Sequence, residues 1–176
     1  MQIPYGKHFI DKDDIKNVSK VLKARSITQG PLINKFEKEI CKLLKVKYAV
    51  AVSSCTAGLH IAVQAIKKKK SHVLTSPVSF VSTANSALFN DLKPIFVDIN
   101  SQNLNIDFEK VKLAIKRNKK IRAIIPVHLG GVASGSKEIF KTAKKKNIFI
   151  IEDAAQSFGG KYEDGSLIGS CKYADM

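Results

Sequence analysis

A chain of 176 residues, 44% of them apolar, suffices for one ordinary domain with a sizeable core. No apolar run approaches the roughly 20 residues of a membrane span, the opening MQIPYGKHF lacks the charged-then-apolar order of a signal peptide, and the widely spaced Cys41, Cys55 and Cys171 suit neither a disulfide framework nor a zinc site, so the expectation is a cytoplasmic protein with reduced thiols and no membrane partner. The net charge of +15 raises nucleic acid as a partner, but KKKK at 67–70 and KKK at 144–146 each close an amphipathic helical pattern, where solvated lysine complements the helix dipole, and no nucleic-acid recognition pattern accompanies them.

In chain order, two helical segments come first, DKDDIKNVSKVLKA and LINKFEKEICKLLK, separated by the turn-like SITQGP. The strand-like YAVAV (48–52) follows, then TAGLHIAVQAI, in which Leu59, Ala62, Val63 and Ile66 share one helical face. HVLTS (72–76) and PIFVDI (94–99) read as further strands. A helix over 108–117 with Asp107 as its N-cap leads to the strand RAIIPVH (122–128). A helix over 137–146 with Ser136 as its N-cap leads to the strand NIFIIED (147–153). This alternation predicts an α/β fold with a mostly parallel sheet flanked by helices. Residues 1–30 form an amino-terminal helix-and-turn segment and 31–176 the body of the domain.

In a sheet covered on both faces, ligands sit beyond the carboxyl ends of the strands. Three features fall there. SSCTAGLH, at 53–60, puts small hydroxyl residues where a strand gives way to a helix, so that the first N–H groups, those of Thr56 and Ala57, could meet a phosphate; alternatively Ser54 or Thr56 only caps the helix. Phe80, just past HVLTS, either stacks on a planar ligand or fills core. Asp153 ends the apolar run FII, either as a site carboxylate or as a solvated loop acid. GGVASGSK, at 130–137, fails the P-loop test because Ser136 precedes Lys137, inverting the required order. There is no G-x-G-x-x-G and no H-E-x-x-H, and His8, His60, His72 and His128 are scattered, which argues against a dinucleotide fold and a metal hydrolase.

Several motifs agree further. TQGPLINKFEKEICKLLKVKYAVAVSSCTAGLHIAV, SPVSFVSTANSA, PIFVDIN, NLNID, AIIPVHLGG and IIEDAAQSFGGKYEDGSLIG, in that order, resemble the amino-terminal part of the DegT/DnrJ/EryC1/StrS family of sugar aminotransferases. The resemblance implies a pyridoxal 5'-phosphate enzyme and the partial large domain of the aspartate-aminotransferase fold (PLP fold type I) over 31–176. It implies a nucleotide-linked 4-keto-6-deoxy sugar as acceptor, an amino donor such as glutamate, and a homodimer. It places Asp153 on the pyridine nitrogen, Gln156 one helical turn on at the ring 3-hydroxyl, Phe80 on the ring face, and Thr56 and Ala57 on the phosphate, with Glu152 structural.

The Schiff-base lysine of such an enzyme lies in a motif resembling S-F-x-x-x-K, expected downstream of Met176; Lys161 and Lys172 lie in no such context. The sequence thus reads as an amino-terminal fragment, inactive alone. The alternatives are a non-catalytic piece of the same fold or a basic nucleic-acid-binding α/β module.

Overall fold

A computed structural model of the protein describes residues 6–69 and 71–176; the opening MQIPY and Lys70, the last lysine of KKKK, lie outside them. Among the described residues, helices α1 (Lys12–Leu22), α2 (Pro31–Leu44) and α3 (Cys55–Ile66) precede strand β1 (His72–Thr75). Then come α4 (Val81–Leu88), β2 (Lys93–Phe96), α5 (Phe108–Arg117), β3 (Ile121–Ile125), α6 (Ser136–Lys145) and β4 (Phe149–Ile150). The four strands form one parallel sheet in the order β2-β1-β3-β4. The outer side of β4 is met by the last residues: Asp175 and Met176 donate N–H bonds to Ile150 O, and Glu152 N–H donates to Met176 O at 2.8 Å.

Side-chain alternation along the strands divides the core in two. Leu74, Ile124 and Ile150 face α5 and α6, where Val111, Ile115, Ile139 and Ala143 meet them. Val73, Ala123, Ile125 and Ile151 point the other way, to Leu59, Val63 and Ile66 of α3 and Ala87 of α4. A helical layer therefore covers each face, which is why these strands read as unbroken apolar runs.

Three expectations need correction. YAVAV forms no strand: among the described residues it pairs with no neighbouring strand, and Ala51 N–H donates instead to Glu37 Oε1 of α2 at 2.8 Å. An extended run becomes a strand only when its backbone groups are paired. α4 forms between HVLTS and PIFVDI, where no element is predicted, and the cap of α6 is Gly135, with Ser136 already inside the helix. Elsewhere the local signals hold. Ser54 Oγ caps α3 by accepting Ala57 N–H at 3.2 Å, and the Asp107 carboxylate caps α5 by accepting Lys110 N–H at 2.9 Å.

Candidate cofactor-binding site

Asp153 lies three residues past β4 and keeps the strand's alternation: odd-numbered like Ile151, it points to the α3/α4 side. Its backbone is pinned to the extension of β3, donating N–H to Pro126 O at 3.0 Å and accepting His128 N–H at 3.1 Å. The residue is only 4% exposed. A buried carboxylate needs donors, and both neighbouring helices supply them. Thr83 Oγ1 of α4 donates to Oδ2 at 2.8 Å; Cys55 Sγ of α3 donates to Oδ1 at 3.7 Å; Ala155 N–H reaches Oδ1 at 3.4 Å. Burial first, and then the Asp153 charge and hydrogen bond, push the Cys55 thiol pKa up, so the sulfur remains a protonated donor.

The other candidate residues lie on the two helices that reach this carboxylate and in the turn that follows it. Thr56 and Ala57 follow Cys55 in the first turn of α3. The Ala57 N–H is taken by Ser54 Oγ, which leaves the earlier N–H groups of the turn without an intrahelical partner at the positive end of the helix dipole. Phe80 is the N-cap of α4, three residues before Thr83, whose N–H donates to Phe80 O at 3.0 Å. At 72% exposure its ring fills no core.

Gln156 lies in a turn rather than on a helix, so the expected helical spacing from Asp153 is absent. Its Oε1 accepts Gly130 N–H at 2.8 Å, which fixes the amide orientation and leaves the two Nε2 hydrogens as donors. Close packing of this turn on the loop after β3 depends on Gly131, at φ +85: a Cβ there would stand 3.3 Å from Gln156 O.

Glu152, even-numbered, points to the opposite face. It accepts the Tyr162 hydroxyl and lies 3.5 Å from Nε2 of the fully buried His128. His128 Nδ1 accepts Ser134 N–H at 2.9 Å, so the ring turns its Nε2 N–H toward Glu152. Sequence reading missed Thr83 and Cys55 as partners of Asp153. The available signal was strand parity combined with the first turns of the two helices that parity selects. Lys172 is engaged elsewhere, with Nζ 2.7 Å from Asp164 Oδ2. None of the described helices is long and apolar enough to cross a membrane.

A parallel sheet covered by helices on both faces, with a buried carboxylate held by two helix starts at its carboxyl edge, defines an α/β protein of the class whose ligands sit beyond the strand ends. The chain belongs to the DegT/DnrJ/EryC1/StrS aminotransferase family, whose model matches residues 8–175. It is 38% identical over 169 residues to the UDP-4-amino-4,6-dideoxy-N-acetyl-beta-L-altrosamine transaminase of Campylobacter jejuni, covering 96% of this chain and 44% of that protein. It is 36% identical to the spore coat polysaccharide biosynthesis protein SpsC of Bacillus subtilis, covering 96% of this chain and 43% of the relative. Its fold superposes on NtdA of Bacillus subtilis, solved with the cofactor PMP bound, with a TM-score of 0.81 and 32% identity, over 94% of this chain and 37% of that one. The chain thus spans less than half the length of these relatives.

Proposed function

We propose that these residues are the cofactor-holding half of an aminotransferase that transfers an amino group from a donor such as glutamate to a nucleotide-linked 4-keto-6-deoxy sugar in the cytoplasm, for surface polysaccharide or glycan synthesis. The single observation that supports this most is Asp153: a buried carboxylate at a strand end, held from two helices, beside an exposed aromatic and a helix amino terminus. That donor set fits pyridoxal phosphate, which has an anionic phosphate, a flat ring and a basic nitrogen.

Asp153 would keep a proton on the ring nitrogen, Phe80 would stack on the ring, and the first turn of α3 would hold the phosphate at Thr56, with the Ala57 N–H engaged by the Ser54 cap that orders the turn. Gln156 would donate from Nε2 to the ring 3-oxygen. Bound pyridoxal phosphate supplies the electron sink for the transfer. Neither Lys161 nor Lys172 is assigned as the Schiff-base lysine, and the whole enzyme is read as a homodimer; exposed Phe36, Tyr48, Val50 and Phe158 offer apolar surface for contacts beyond this half.

The test is glutamate-dependent amination of a nucleotide-linked keto sugar, followed by mass spectrometry of the product. Turnover by the complete enzyme that is lost in Asp153→Ala is the expected result. Equal turnover by the two would overturn the assignment of Asp153, and turnover by residues 1–176 alone would overturn the assignment of the lysine.

A further inference from the structure

A carboxylate that must meet a ring nitrogen along one direction cannot be left to rotate, because the terminal torsion of aspartate is broad. Asp153 has one oxygen held well and the other held loosely. Oδ2 takes the Thr83 hydroxyl at 2.8 Å, whereas among the described residues Oδ1 has the thiol of Cys55 at 3.7 Å and the long Ala155 N–H bond at 3.4 Å. Thr83 is itself immobilised. It is fully buried and β-branched, its N–H is bonded to Phe80 O at 3.0 Å, and its carbonyl accepts Ser86 Oγ at 2.8 Å.

One residue therefore links the carboxylate to the backbone of the exposed aromatic. We propose that Thr83 is a positioning residue that sets the direction of the Asp153 carboxylate and its register with Phe80, with Cys55 a weaker second donor that leaves Oδ1 available to a ligand. The proposal rests on the reading of Asp153 as the partner of the pyridine nitrogen. The order of strength follows from length and chemistry: a short hydroxyl bond to a charged oxygen outweighs a long thiol bond.

The experiment titrates purified protein with pyridoxal phosphate, reading the dissociation constant by absorbance and ring orientation by visible circular dichroism, with thermal unfolding run alongside. Thr83→Val should weaken binding about 10-fold and diminish the dichroic band, the scale expected for one hydrogen bond to a charged group. Thr83→Ala removes the same donor without a new methyl and should lose as much, whereas Thr83→Ser should restore binding to within about 2-fold of the unaltered protein. Cys55→Ala should cost less than about 3-fold. In an Asp153→Ala background, Thr83→Val should add no further loss, because its effect passes through the carboxylate.

Binding and dichroism unchanged in both Thr83→Val and Thr83→Ala, or the same loss with and without Asp153, would overturn this inference alone. Failure of the unaltered protein to bind pyridoxal phosphate at all would overturn the cofactor reading, and this inference with it.

Discussion

The carboxyl edge of the sheet and the amino-terminal third share a vocabulary of amphipathic helices and apolar runs, yet they end in opposite states. At the sheet the elements have met their counterparts: Ile124 and Ile150 are fully buried against α5 and α6, and on the other face the Asp153 carboxylate is shared between α3 and α4. In α1 the stripe Ile15, Val18 and Leu22 has helical spacing and an Asp11 capping box, but no residue of the helix is buried. In α2 only Leu44 is buried, and in the following extended run Tyr48 and Val50 are 75% and 77% exposed. Periodicity states which side of an element is apolar; only the rest of the fold states what covers it.

The sharpest way to break this contrast is to make the same kind of deletion in both regions. Ile124→Ala should cost about 2–5 kcal/mol in denaturant unfolding, by lost transfer energy and a cavity between the sheet and α5/α6. Val50→Ala should stay within about 0.5 kcal/mol. A comparable loss at Val50 would mean that this run is covered in solution and that the two regions do not differ. Asp153→Asn comes next: in the complete enzyme it should lower turnover by the equivalent of about 3 kcal/mol while leaving the unfolding midpoint nearly unchanged, because an amide keeps the shape but cannot hold the ring proton. Near-native turnover would place the chemistry elsewhere.

Ser54→Ala should cost about 1 kcal/mol of stability through the lost cap of α3, and should also weaken pyridoxal phosphate binding by disordering the turn that presents the Thr56 amide. Stability loss without any change in binding would detach that turn from the site. The smallest effect is at the surface. The Lys110 hydrogen bond, with Ile99 N–H and the Lys110 charge adding to it, holds the Asp98 carboxyl below the usual range. A folded pKa below the unfolded one gives stability that is present above the unfolded value and lost as pH falls through the folded value. Asp98→Asn should therefore remove a small acid-side decline in the unfolding midpoint, and the difference should fade in salt because the pair is exposed.

What the sequence showed, it showed through local chemistry. α2, α3, α5 and α6 were legible from their spacing, and Ser54 and Asp107 from cap chemistry, because these signals lie within a few residues of the element they define. YAVAV was misread as a strand because pairing is a property of two segments, not one. α4 was missed because VSTANSAL is short, rich in small hydroxyl residues and has Phe80 as its cap, with no side-chain capping bond. Asp153 stood out as an acid ending an apolar run, whereas Thr83 and Cys55 lie 70 and 98 residues away along the chain. Their convergence depends on strand order, which no local pattern states.

Asp153, fixed by the fold before any ligand arrives, is the group we propose to keep a proton on the pyridine nitrogen. The most direct measurement is nitrogen NMR of isotope-labelled pyridoxal phosphate bound to the protein, followed as pH is raised. The ring-nitrogen resonance should stay at its protonated position in the unaltered protein at alkaline pH and move to the unprotonated position in Asp153→Asn. A resonance at the unprotonated position in both proteins would contradict this role for Asp153.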